Sequence, residues 1–194
     1  LSLQQKVQME AAVLDPPSQA DLASAGTDYP KPITDRYLHL PDSLPDRVRD
    51  LAEEITRDAA TPYQKAEAIE EYLAQYPYTL TIETPPVDAD GVDFFLFTQK
   101  SGYCTYFASA MTVLLRAADV PARLVTGFLP GEPDTVTGGY VIRDRNYHAW
   151  TEVYFPGYGW IEYDATPPGA VPGTSDDIPA IDPVSPPDIP EPDQ

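Results

Sequence analysis

The chain has 194 residues, 42% of them hydrophobic, which suits one packed domain with tails. Thirty-one Asp and Glu against twelve Lys and Arg give a formal charge of −19, a surface that repels nucleic acid and anionic lipid. No run of about 20 apolar residues is present to span a membrane, and one cysteine with two histidines allows no zinc-ligand spacing, so neither a metal nor a cofactor is expected.

The opening stretch, LSLQQKVQMEAAVL, lacks an initiator methionine and the basic start and long apolar stretch of a signal peptide, so an excised segment or processed form is expected. Residues 1–41 are expected to form an N-terminal extension that wraps the surface. Within it ITDRYLHLP (33–41) reads as an extended strand around Tyr37 and Leu38, and His39 as a surface residue with no polar constellation beside it. PDRVRDLAEEITRD (45–58) reads as a helix, because Val48, Leu51, Ala52 and Ile55 form one apolar stripe. A second helix is expected over 61–75. Thr61 suits the N-cap, Pro62 the first helical position and Gln64 the capping box, with Ala66, Ile69 and Leu73 facing inward. YTLTI (78–82) is a short strand candidate, followed by an acidic, proline-rich loop and the aromatic cluster DFFLF (93–97). Residues 104–118 read as the central helix, with Ala108, Met111, Leu115 and Ala118 along one side. Leu114 and Val113 widen that side until burial is nearly all round.

From residue 121 the period shifts toward two. ARLVTGF, GGYVIRD, HAWTEVYF and GWIEYDA are four strand candidates separated by Gly, Pro and Asp. Helices followed by strands predict an α+β fold, helices packed on an antiparallel sheet. Nine prolines and no Lys or Arg in residues 167–194 predict a disordered linker or tail over 168–194, leaving 42–167 as the core.

The only cysteine, Cys104, follows Ser-Gly-Tyr and heads the apolar helical run. A thiol has a pKa of about 8.5 in isolation, and a helix start lowers it because main-chain N–H groups and the dipole favour an anion. Gly102 allows close backbone approach, and the Cys104 N–H could face a developing oxyanion. The competing reading is a small buried hydrophobe, since free cysteine is among the most buried residue types. His148 is the candidate base, against an ordinary strand histidine. Asp164 is the candidate for orienting the imidazole, against a strand-end aspartate that accepts turn hydrogen bonds.

Register links the last two. If Phe155 pairs with Gly159, Asp164 falls opposite Trp150 and on the same face, with His148 a diagonal neighbour roughly 7–8 Å away along the backbone. A one-residue slip sends Asp164 to the other face. The expected connection is therefore a three-residue loop with a glycine bulge at Gly159.

These residues also fall into three ordered blocks. A Gly-x-Cys opens a helix and is followed by PARLVTG; His148-x-Trp150-x-Glu152 comes next; Asp164-x-Thr166-Pro167 closes. Across about residues 100–167 the chain thus resembles the transglutaminase-core superfamily. The resemblance implies a papain-like/transglutaminase-core fold with the catalytic cysteine at the N-terminus of the central helix. It implies Cys104 as nucleophile, His148 as general base and acid, and Asp164 as orienter, acting on protein or peptide carboxamides through a thioester. Gly102, Tyr103, Tyr147 and Trp150 are the expected substrate-binding residues; the three aromatics either wall off water or fill the core. The calcium sites of animal relatives are not matched. The helices at 45–75 and GVDFFLF resemble a bacterial branch in which this domain lies between transmembrane segments. That implies an extracytoplasmic (periplasmic or cell-surface) domain of a bacterial membrane protein, monomeric in isolation and without membrane contact of its own, the tail leading toward a membrane segment.

Three readings compete. The first is a cysteine acyltransferase, or a protease or amidase that passes the same thioester to water. The second is a catalytically silent binding module. The third is a papain-like or arylamine-acetyltransferase-like enzyme, which shares the residue order and would take acetyl thioesters.

Overall fold

The computed structural model describes residues 16–136 and 138–169. Two short helices, α1 (Gln19–Ala23) and α2 (Lys31–Tyr37), precede α3 (Asp46–Thr56) and α4 (Pro62–Leu73). A three-residue helix, α5 (Gly91–Asp93), runs into a π-helical turn over Phe94–Gln99, and α6 (Cys104–Ala117) follows. The strands come last: β1 (Ala122–Phe128), β2 (Glu132–Asp134), β3 (Gly139–Val141), β4 (Tyr147–Phe155) and β5 (Gly159–Tyr163). No helix among the described residues is long and apolar enough to cross a membrane.

The start of α4 forms as its sequence demands. Pro62 opens the helix, the Thr61 hydroxyl accepts the Gln64 N–H at 3.2 Å, and the Gln64 side chain accepts the Thr61 N–H at 3.2 Å. The centre of the molecule is α6, whose Phe107, Met111, Leu114 and Leu115 are fully buried between α3 and α4 on one side and the sheet on the other. Each such side chain contributes about 1.5–3 kcal/mol of transfer free energy. Two buried hydroxyls fix α6 against β4. Thr112 and Thr151 lie 3.3 Å apart, and Thr151 donates to the Ala108 carbonyl at 3.0 Å, one turn from Cys104.

The main sheet is antiparallel in the order β1-β4-β5, and β2 with β3 forms a separate hairpin. Between β4 and β5 the register pairs Phe155 with Gly159 and Thr151 with Tyr163, closed by the three residues Pro156, Gly157 and Tyr158. Gly159 takes φ +84°, the left-handed conformation that ends the turn. This is the connection that the sequence predicts.

Elsewhere the structure corrects the sequence. ITDRYLHLP is not extended: its first half is the end of α2. Pro32 sits in the first turn, where its missing N–H is tolerated, Lys31 pairs with Asp35 at 2.7 Å, and Tyr37 packs edge-on against Trp160 at 4.6 Å. YTLTI forms only a single parallel bridge, Tyr78 to Gly102. DFFLF winds into the π-helical turn, ended by Lys100 at φ 51°. GGYVIRD leaves the main sheet for the small hairpin, whose other strand, β2, the alternation does not reveal. Residues 16–41 lie against the rest of the fold. Leu22 enters the core, Tyr29 packs on Tyr154 and the His39 carbonyl accepts from Arg116, while the His39 side chain is exposed. Residues 1–15 and the proline-rich stretch beyond 169 lie outside the described residues.

The space where a Gly159 side chain would stand is open, so Gly159→Ala isolates the conformational effect. Its expected cost is about 1 kcal/mol in urea unfolding. A variant as stable as the wild type contradicts the turn geometry.

Candidate active site

Three elements supply the site. Gly102 lies in the segment entering α6, where an added Cβ would stand 2.9 Å from Tyr106 Cβ and 3.3 Å from Phe95. Glycine there lets the segment pair with residues 77–79: the Gly102 N–H donates to the Pro77 carbonyl at 3.2 Å, and the Thr79 N–H to the Gly102 carbonyl at 2.7 Å. Tyr103 is the N-cap of α6 and offers no capping oxygen, so the first amides of the helix stay open beside Cys104. Cys104 is buried, packed with Ala108 on its own helix and Ala149 on β4.

β4 brings His148, which is 1% exposed. Its Nε2 lies 2.7 Å from Asp164 Oδ2, just past the end of β5. The other carboxylate oxygen of Asp164 accepts the Thr166 N–H at 3.0 Å, which fixes its direction and explains a threonine two residues on. With Nε2 committed to Asp164, Nδ1 is left as the ring edge for Cys104; it is buried without a conventional hydrogen-bond partner among the described residues. The ring runs nearly parallel to Trp150, centroids 6.4 Å apart.

Burial opposes charge on all three groups, and their partners outweigh it. For His148, burial disfavours the imidazolium, but the hydrogen bonds and charges of Asp164 and Cys104 push its pKa up to about 9. For Cys104, burial favours the neutral thiol, but His148, the Ala149 main chain and the Thr105 hydroxyl hold it below its ordinary value. For Asp164, burial is overcome by His148 and Thr166, and its pKa falls. All three shifts run toward the charged forms, a thiolate beside an imidazolium backed by a carboxylate. These three titrations are coupled.

Two residues absent from the sequence-based expectations stand beside this array. Tyr78 stacks on Phe107 with ring centroids 6.4 Å apart and is near enough to Cys104 to feel its charge. Burial, then the charge on Cys104, raises its pKa, so it stays protonated. Glu70, on α4, is partly buried, and burial followed by the charge of Glu67 raises its pKa to about 7. Read as strand and helix surface, neither carried a sequence signal of its own.

Two clefts lie near the site. One, of about 370 Å³, runs along the first turns of α6 between Tyr103, Tyr106 and Val92. The other, of about 300 Å³, opens beside His148 and Asp164 between Phe128, Pro130 and Trp150. Of the expected substrate-binding residues, Tyr103 lines the first cleft and Trp150 the second. Gly102 contributes main chain behind Cys104. Tyr147 lines neither cleft; it is half exposed and packs edge-on against Phe128 at 5.9 Å. No cluster of metal-ligating side chains occurs among the described residues.

Known proteins resemble this chain in sequence and in fold. The family model described as "Transglutaminase-like superfamily" matches residues 49–165. The uncharacterised protein YebA of Bacillus subtilis is 46% identical over 69% of the chain, and a protein-glutamine gamma-glutamyltransferase of Pseudomonas aeruginosa is 37% identical over 68%. The chain spans 19% and 20% of the lengths of these two relatives. Among solved structures, the periplasmic domain of TgpA from P. aeruginosa aligns with a TM-score of 0.63 at 35% identity, over 72% of this chain and 50% of that one. A proposed cysteine protease from Cytophaga hutchinsonii aligns with a TM-score of 0.52 at 25% identity, over 72% and 43%.

Iodoacetamide reads the thiolate directly. Alkylation of Cys104 is expected to rise with pH through a midpoint below that of a free thiol, because the imidazolium holds the anion. In His148→Gln only burial and two weaker contacts remain, so the midpoint moves to alkaline pH and the rate at pH 7 falls at least about 10-fold. Superimposable profiles for the two proteins would remove the ion pair.

Proposed function

The chain belongs to the transglutaminase-like superfamily, and from that premise we propose that it is a cysteine-dependent acyltransferase acting on protein or peptide carboxamides. The observation that carries this reading is the Cys104–His148–Asp164 array, in which His148 lies 2.7 Å from Asp164 and lowers the pKa of a buried thiol.

In the proposed reaction the Cys104 thiolate attacks the carboxamide carbonyl and forms a carbon–sulfur bond. The oxyanion meets the Cys104 N–H, and Tyr78 rotates its hydroxyl to become a second donor. His148 gives its proton to the departing ammonia as the carbon–nitrogen bond breaks, leaving a thioester and a neutral imidazole. An incoming primary amine then attacks the thioester, His148 takes its proton, and the thiolate leaves. Asp164 fixes the imidazole and stabilises it whenever it is protonated. Water in place of the amine gives hydrolysis by the same steps. Transfer is supported by the similarity to a gamma-glutamyltransferase. The similarity to a periplasmic domain supports placing the reaction outside the cytoplasm, and the chain's share of its relatives' length supports a longer parent protein.

Incubation with a glutamine-containing protein and a labelled primary amine tests the reading. Label is expected to enter with the wild type and not with Cys104→Ala; new peptide ends without label would establish hydrolysis instead. Tyr78→Phe is expected to lower kcat about 100-fold with little change in KM, while iodoacetamide still alkylates Cys104 at the wild-type rate. An unchanged kcat removes Tyr78 from the reaction. The kcat/KM profile of the wild type is expected to fall on the alkaline side near pH 9, where His148 loses its proton.

A further inference from the structure

One glycine of the main sheet has no conformational reason to be glycine. Gly127 lies in β1 and takes no left-handed conformation, so other residues could adopt its backbone, and glycine weakens a strand. Space accounts for it. A Cβ at this position would stand 2.7 Å from Cη2 and 3.2 Å from Cζ3 of Trp150, too close for a side chain to be held there. The far edge of the indole therefore reaches the place where a β1 side chain would begin. The strand pairing explains the direction. Gly127 is the register partner of His148, and Val125 that of Trp150, so these residues share one face of the sheet and the indole crosses it diagonally. It comes to rest nearly parallel to the imidazole, at 21° with ring centroids 6.4 Å apart. The indole N–H is buried without a hydrogen-bond partner among the described residues, so no polar contact of its own holds the ring there.

We propose that Trp150 is a positioning residue seated against Gly127: its indole bounds the His148 imidazole on one side, so that Nε2 stays on Asp164 and Nδ1 stays turned to Cys104. The bond to Asp164, at 2.7 Å, holds one corner of the imidazole. A single bond of this kind leaves the ring free to rock about the held corner. The residue opposite His148 in β1 has no side chain to stop that movement. The indole fills the gap, and His148 is 1% exposed although its strand partner is a glycine. A ring that rocked away would lose the alignment with Asp164 and the approach to the thiol together. The role is steric. It requires the reach of the Trp150 ring and the missing Cβ at Gly127, and it makes no use of the indole N–H.

The role rests on the Cys104–His148–Asp164 array of the proposed reaction, but its test needs no substrate. The chain has two histidines, and exposed His39 serves as an internal reference. In histidine-labelled protein, the NMR titration midpoint of His148 is expected to fall by about one unit in Trp150→Leu, toward the unperturbed value. Gly127→Ala, which pushes the indole aside, is expected to give a fall of similar size. In the double variant the midpoint is expected to equal that of Trp150→Leu alone, because the added methyl then meets no ring. A wild-type midpoint in either folded single variant overturns the proposal, and so does a Gly127→Ala shift that adds in full to that of Trp150→Leu. A measurement on the wild type avoids the risk that the variants do not fold. A strong nuclear Overhauser cross-peak is expected between the Trp150 Hη2 and a Gly127 Hα, and its absence removes the seat. If the NMR results hold while the protein fails to transfer acyl groups, the acyl-transfer reading falls and the positioning role stands. If transfer proceeds and an NMR result fails, the role of Trp150 alone falls.

Discussion

The length of one turn decides whether the site can exist. Three residues and a left-handed glycine join β4 to β5, and this count places Asp164 on the same face as His148. Side chains alternate along a strand, so one residue more or less would turn the Asp164 carboxylate away. His148 would then keep its burial and lose the partner that offsets it. A neutral imidazole would no longer lower the Cys104 pKa as far, and burial would push it up. The ionisation of a residue at the head of α6 is thus set by a hairpin much later in the chain.

The rest of the fold holds the two halves of this arrangement in place. The helical layer carries Cys104 and the sheet carries His148. They meet where α6 crosses β4, along the buried Thr112–Thr151–Ala108 contacts and the packing of Cys104 on Ala149. The other side of the sheet is secured by Tyr37 and Arg123 on Trp160, and by Arg123 paired with Glu152 in β4. The helices ahead of the site are tied to one another by Arg47, which pairs with Asp93 and lies over Phe97. Such contacts add little individually at the surface. Their value is geometric, because the site draws on elements distant in sequence.

What could be read from the sequence follows from how local the cause is. The capped start of α4, the apolar girth of α6 and the alternation of β4 are properties of neighbouring residues, and the structure reproduces them. The β4–β5 register was also legible, because a hairpin turn is local and a glycine marks its end. The site residues Cys104, His148 and Asp164 were nameable because the chain offers one cysteine, few histidines and a motif order. Tertiary forces hid the remainder. Tyr37 sits on a helix rather than a strand because Trp160 receives it, and Trp160 is remote in sequence. Tyr78 looked like one member of an alternating run, whereas one bridge to Gly102 and a stack on Phe107 give it its position. Glu70 reads as helix surface, and only the fold buries it in part.

The choice between a structural and a functional reading of Cys104 turns on electrostatics. A cysteine kept for packing needs an apolar pocket, and the surrounding Ala108 and Ala149 would provide one. Such a pocket does not need a buried imidazole beside the sulfur, nor a carboxylate behind the imidazole. For Cys104, His148 and Asp164 alike, burial is the largest influence and works against the charged form, yet all three are driven toward charge by one another. Buried charge of this kind opposes folding unless every member finds its partner. A chain that only had to fill space would gain by replacing the array with aliphatic side chains. Its place at the start of α6 is what the proposed chemistry at the sulfur would require.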